Sequence, residues 1–488
     1  MPLLRSKNFS ALVGIIILLF MTTGLITPYG LQQKHNPPFS AEAGEAPCID
    51  YDAEENTITI NCDSSFLDVV QTIDDPAIIE NLGNGEYLLN ANLEVADNVT
   101  FEMSSSSTSS NTGNGVGVGD NFGIGENGAG DSDNEGLKYL KIAGANGIVV
   151  YGRIQLSGIK ITSWNPETNS PIPQTINGSI PRAYINLRGS EGGFVHDSEI
   201  SHLGYQEFGR RGFDLFGDGY SHDLEISRSK FHDMWFAYYS RGAYNIVING
   251  NEYYDNIKYG LDPHSGTHDM RITNNYLHNN PIGAICSDRC SKILIEGNEI
   301  VDNTKVGIFF SRNMTDSIAR NNHVINGGTG ILVSESPNNQ IYNNIVEGAG
   351  LQGIRLLNPE IPDDGVTEGN TVYNNTILNS EDGIGSARSQ NNILENNMFS
   401  GIESSEYDLS GGSSITIRGE LFDNTEITGE GGGLSTDNIV EIADSGTIQV
   451  IEGAIDEDEE DEGDTYNTDT RPYSRTLDDG DSITVNSS

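Results

Sequence analysis

Tyr259-Gly260-Leu261-Asp262-Pro263-His264 sets a phenol, a carboxylate and an imidazole close together, while the segments around it are padded with Asn, Gly and aliphatic residues. Imidazole, with an unperturbed pKa of ~6.5, suits a base near neutral pH; a tyrosine at ~10 suits a proton donor. A repetitive chain that abandons its pattern in one place shows there where its chemistry sits.

The pattern being broken is a repeat. A glycine followed by alternating apolar residues recurs at Gly260, Gly283, Gly307, Gly330, Gly353 and Gly383, with gaps of 23, 24, 23, 23 and 30 residues. The last gap is stretched by the polar insert between Asn358 and Gly369. Asn251, Asn275, Asn298, Asn322, Asn344, Asn375 and Asn397 keep step at the ends of short apolar runs. Runs this short, with period-2 alternation and Asn/Gly corners, read as strands and tight turns. Asn tolerates the left-handed backbone of such corners, and stacked Asn side chains can bond along a ladder. A repeat of about 23 residues cannot bury its own apolar face, so neighbours must stack. The expected fold is all-β, a right-handed parallel β-helix; the leucine signature of leucine-rich repeats is missing.

Counting from each glycine, positions one and three are apolar: Leu261/Pro263, Ala284/Cys286, Ile308/Phe310, Ile331/Val333 and Ile354/Leu356. These face the coil interior, so positions two and four face outward and set Asp262 beside His264 on one face. The same slots hold Tyr239 and Arg241 one repeat earlier; Ser287-Asp288-Arg289, Ser311-Arg312 and then Arg355 follow. Arginines in register around one histidine predict a groove for an anionic ligand. The alternative is a solvated face on which they pair with local acids.

Length and composition agree with a solenoid, which grows lengthwise without a larger core. The 488 residues are 36% hydrophobic and include 57 glycines. A net charge of −45 excludes nucleic acid as partner and reads mostly as a solvated surface. Arg5 and Lys7 precede an apolar run from Ala11 to Ile26, so residues 1–45 read as a secretory signal peptide or an uncleaved membrane anchor. The chain is thus expected outside the cytoplasm, secreted or at the cell surface, and monomeric. Export permits disulfides: Cys48 with Cys62 is the natural pair, whereas Cys286 and Cys290 need an intervening turn. Residues 46–103 cap or begin the solenoid, 104–136 form a Ser/Gly-rich flexible insertion, 137–421 the β-helix, 422–455 its end region and 456–488 an acidic, solvated tail. No metal site is read from the sequence; His202, His222 and His232 are taken as turn or groove residues. The aromatics Trp235, Tyr238 and Tyr239 are either a sugar-stacking platform or ordinary packing.

Tyr259-Gly-Leu-Asp-Pro-His264, within this coil rhythm over residues 185–420, resembles the motif of the mannuronan C5-epimerases, parallel β-helix enzymes that act on alginate. The resemblance implies that Tyr259 and His264 are the catalytic acid/base pair, with Asp262 beside them. It implies that His268 matches a further family histidine, and that Lys230 and Arg289 neutralise the substrate carboxylate, with Asp288 in that place after a one-residue shift. Arg241 and Pro263 complete the expected substrate contacts. Ser265 stands where the family often has an acid, a departure at a point of calcium coordination or substrate placement.

The reaction so implied removes the proton alpha to a uronate carboxylate and returns one to the opposite face. Groups aimed at the developing charge are worth ~3–4 kcal/mol each. Asp262 is expected to orient His264, and Pro263 to stiffen the strand. No cofactor is required, and calcium remains open. The same intermediate can collapse by β-elimination, so a polysaccharide lyase is the nearest rival. Hydrolysis needs paired carboxylates, and Asp262 has only Asp288 as a candidate partner. A surface β-helix that only binds carbohydrate is the non-enzymatic alternative.

Overall fold

The computed structural model describes residues 47–105, 136–216, 220–361, 365–411 and 413–418, with five short strands beyond them. The expected leader, most of the Ser/Gly-rich insertion and the acidic run Asp456–Glu462 lie outside the described residues. Three sheets run through the solenoid, of 17, 15 and 14 strands, and successive coils pair in parallel from Thr57–Ile60 to Gly446–Val450. One helix, Phe66–Ile73, is found among the described residues; Ser65 and Asp68 close a capping box on it. Its Phe66 and Val69 join the core near the first coil. No helix among the described residues is long and apolar enough to cross a membrane.

The repeated glycine has a steric cause. A Cβ at Gly260 would lie 2.6 Å from the carbonyl oxygen of Gly283, and at Gly283, 2.7 Å from that of Gly307. The same clash recurs at Gly330 against Gly353, at 2.5 Å, so backbones stack there only without side chains. Leu261, Ala284, Ile308, Ile331, Ile354 and Ile384 fill the interior one above another, essentially without exposure. Each Leu or Ile among them contributes about 1.5–3 kcal/mol through burial, which a lone coil would forgo.

The asparagines form the expected ladder. Asn251 Nδ2 donates to Asn275 Oδ1 at 3.0 Å, and the pattern repeats through Asn298, Asn322, Asn344, Asn375 and Asn397 at 2.9–3.0 Å. Each Nδ2 also reaches a backbone carbonyl, as Asn298 does to Ile272. The left-handed residue at this corner is the one before each ladder position: Gly250, Asn274, Gly297, Asn321, Asn343, Asn374 and Asn396. The corner therefore divides the two demands between neighbours, one supplying backbone freedom and the next the amide.

Both disulfides form, Cys48–Cys62 and Cys286–Cys290. The second closes a turn in which Asp288 and Arg289 are both left-handed, the turn that pairing required. The far tail is not wholly a solvated spacer. Ser474–Leu477 and Ser482–Thr484 return as antiparallel strands against Gly446–Val450 and Ile439–Ile442.

Candidate active site

Strand Tyr259–His264 lies between Phe236–Arg241 and Ile282–Ser287 in the 17-stranded sheet. The register is the one alternation required: Phe236 opposite Tyr259, Tyr239 opposite Asp262, Arg241 opposite His264, and His264 opposite Ser287. Asp214 opposes Tyr239 one coil further back.

His264 is held by its own turn. Its Nδ1 lies 2.7 Å from Ser265 Oγ, and that hydroxyl donates to Asp288 Oδ2 at 2.8 Å. Because the serine proton goes to the carboxylate, Nδ1 must carry a hydrogen, which leaves Nε2 with the free lone pair. Burial lowers the His264 pKa to about 4, with Arg211, Arg312 and Arg241 adding to the effect and Asp288 opposing it. The imidazole is therefore a neutral, oriented base at neutral pH. Burial, then Asp262, pushes the Tyr259 phenol up to about 12, so it stays protonated. Asp262 is 3% exposed, its Oδ1 has no hydrogen-bond partner, and burial raises it to about 8 against the pull of Arg211 and Arg312. At neutral pH it is a carboxylic acid able to donate. Carboxylic acid and unprotonated imidazole thus share one face, and the Tyr259 phenol ring packs against the aromatic cluster of Phe236 and Tyr239.

The orienting role expected of Asp262 belongs to Ser265 and Asp288. Side chains two residues apart on a strand stand parallel, about 6.6 Å apart at a rise of ~3.3 Å per residue, and do not reach each other. The turn of the next coil does reach His264. Ser265→Ala is accordingly expected to lower kcat ~10–100-fold with little change in KM, and to move the acid limb of the rate profile; an unaltered profile would remove the relay from the mechanism.

Several expected contacts are placed elsewhere. Lys230 lies in the 14-stranded sheet, in strand Lys230–His232, and pairs with Glu252 at 2.7 Å. The positive charge that acts on Asp262, Tyr259 and His264 includes Arg211, whose guanidinium lies 4.3 Å from the Tyr239 ring centroid. Arg312 acts on the same three groups. Arg289 is mostly exposed and pairs with Asp288 at 2.7 Å. His268 begins a strand of the 15-stranded sheet, stacked on Tyr244 and bonded to Asp269. Pro263 is buried on the inward side, opposite Ser240. Arg241 stays beside His264, over Phe216 at 5.6 Å.

Trp235, Tyr238 and Tyr239 are packing, not a platform: each is at most 2% exposed, and Gly178 sits against the Trp235 ring. An accessible aromatic is Phe208, 61% exposed, stacked on Phe216 and capped by Arg211 at 4.4 Å. Asp214 Oδ2 accepts from the Arg211 backbone at 2.7 Å and fixes that segment. A paired arginine at 210–211, in a chain with 26 basic residues, was the available signal for this part of the site.

Comparison with known proteins agrees with the fold. The family model for the right-handed β-helix region matches residues 211–360 and 326–454, together half of the chain. The mannuronan C5-epimerase of Pseudomonas fluorescens is 26% identical over 159 residues, 30% of this chain and 29% of that protein. The Pseudomonas aeruginosa enzyme is 26% identical over 153 residues. The chain thus aligns with less than a third of the length of the curated relatives it matches. The crystal structure of the periplasmic alginate epimerase AlgG superposes with a TM-score of 0.57 at 19% identity, covering 80% of this chain and 84% of that one.

Proposed function

The chain belongs to the right-handed β-helix family, and on that scaffold we propose that it is a mannuronan C5-epimerase-like isomerase, inverting C5 of uronate residues in an anionic polysaccharide. The observation that carries this reading is the Ser265–Asp288 relay, which leaves His264 Nε2 free at one end of the strand whose other end carries a protonated Tyr259.

His264 Nε2 takes the C5 hydrogen as a proton. The C5–H electron pair moves into the carboxylate, giving an enediolate. Arg211 and Arg312 offset its charge while Asp262 donates a hydrogen bond to it. Tyr259 then returns a proton to C5 from the opposite face, and the two side chains regain their protonation states through solvent. An arginine pair suits a carboxylate that gains charge, since its donors match the two oxygens. Phe208 offers the flanking ring for a sugar.

The same start leads to β-elimination, but that route needs a proton donor at the leaving O4, and the relatives matched are named as epimerases. The reading takes the enzyme as exported and monomeric, without a required cofactor. Incubating the full chain with polymannuronate in deuterated water, with and without calcium, tests it by proton NMR. Guluronate signals with deuterium at C5 are expected. Unsaturated chain ends would make it a lyase, and an unchanged spectrum with every polyuronate would overturn the reading.

A further inference from the structure

A second cluster of reactive side chains lies away from the proposed active site, at the corner that ends strands Glu199–Ser201 and Lys230–His232 of the 14-stranded sheet. His202, His232 and Asp233 each offer one donor atom there, and the three atoms lie within 4.8 Å of one another. The register stacks Ser201 on His232 and His232 on Tyr254, so the residues that follow, His202 and Asp233, occupy equivalent corners of successive coils. Both are left-handed, at φ of 56° and 54°.

This corner has its own pattern, and one coil breaks it. In later coils the left-handed slot is filled by Asp255, Asn279, Asp302 and Asn326. Those residues tolerate that backbone because a short polar side chain can bond locally. His202 puts an imidazole in that slot instead. Its Nδ1 is buried without a hydrogen-bond partner, which costs stability unless something else satisfies it.

The partners are arranged as a coordination site requires. His232 Nε2 lies 3.2 Å from Glu199 Oε1, a carboxylate that Lys160 also holds, while Nδ1 lies 2.7 Å from Asp233 Oδ2. A carboxylate behind one ring nitrogen fixes the tautomer and directs the other nitrogen toward an ion. The His202 and His232 ring centroids are 6.0 Å apart. The fully buried Arg182 ties both turns together, donating to the carbonyls of Leu203, Gly204 and Asp233.

We propose that His202, His232 and Asp233 bind a divalent transition-metal ion, Zn2+ in the first instance. Two imidazoles and one carboxylate suit zinc, with water completing a tetrahedron, and disfavour calcium and magnesium, which take oxygen ligands. On binding, the ion replaces the proton shared between His232 Nδ1 and Asp233 Oδ2, and that proton passes to solvent. The site is a staple. Asp233 lies three residues before Phe236–Arg241, the strand that sets Tyr239 and Arg241 beside Asp262 and His264.

The repeat supplies fold-preserving controls. His202→Asn installs the residue that later coils use in this slot, and His232→Tyr installs the residue that follows it in the ladder at Tyr254. Full-length protein stripped with a chelator is titrated with Zn2+ by calorimetry, in calcium excess to occupy the acidic surface. One equivalent is expected to bind with proton release and a rise in Tm. Co2+ is expected to give the visible bands of a tetrahedral site, and either variant should weaken Zn2+ binding ~100-fold or more while melting in chelator like the parent. The proposal is overturned if the parent binds no stoichiometric Zn2+, or if both variants bind it as tightly as the parent.

Discussion

Tyr259→Phe is expected to abolish inversion, by ~10³-fold or more, while still exchanging the C5 hydrogen of the substrate with solvent. The division of labour at the site produces this asymmetry. His264 Nε2 removes the proton with no help from the phenol, and in the variant its imidazolium can only return a proton to the face it came from. Deuterium would therefore enter the polymer without a change of configuration. His264→Ala is expected to lose exchange and inversion together, since no other group on that face is both unprotonated and oriented. Mass spectrometry for deuterium and proton NMR for configuration read the two outcomes separately. Exchange that survives in His264→Ala but not in Tyr259→Phe would interchange the roles; inversion persisting in both would remove the pair from the chemistry.

The second large effect is expected at Asp262, where function and stability pull apart. Asp262→Ala removes the donor aimed at the enediolate and should reduce kcat ~10²–10³-fold. Asp262→Asn keeps an N–H donor, so it should retain part of the activity and lose the alkaline limb that Asp262 ionisation imposes near pH 8. The acid limb, set by His264 protonation near pH 4, should remain. Stability follows from the same shift. An unfolded aspartate ionises near ~3.9, and burial lifts this one to about 8. Between those values the folded protein holds a proton that the unfolded chain has released, so stability falls as pH rises through the window. Asp262→Asn abolishes that dependence. Its Tm should exceed the parent's by more at pH 8 than at pH 5, with the difference vanishing near pH 3. Equal Tm differences at pH 5 and pH 8 would mean that Asp262 is ionised in the folded state.

Much of the scaffold was legible because sterics repeat. The glycine rhythm predicted a backbone stack, and a Cβ at Gly260 or Gly330 would strike the next coil's carbonyl. The facing of Asp262 and His264, and their alignment with Tyr239 and Arg241, followed from alternation alone. The hydrogen-bond network did not. Asp288 belongs to a turn of the following coil, and its reach to Ser265 depends on two consecutive left-handed residues that no periodicity encodes. Arg211 lies in the irregular stretch before Gly212–Leu215, where no repeat gives a register to count from. Lys230 was assigned by its place in the motif order, yet a coil visits three sheets, and that position falls on another one. His202 was taken as a turn or groove residue because a lone histidine carries no further signal until the slot it occupies is compared across coils.

The asparagine ladder bears on how the molecule comes apart. Along the ladder each amide links only the rungs directly above and below, so a melting front gains no advantage by starting in the middle and advances from an exposed end. Strand Tyr259–His264 has coils stacked on both sides. A molecule that has frayed at either end still presents an intact reacting face, and during heating the loss of strand signal should run ahead of the loss of catalysis.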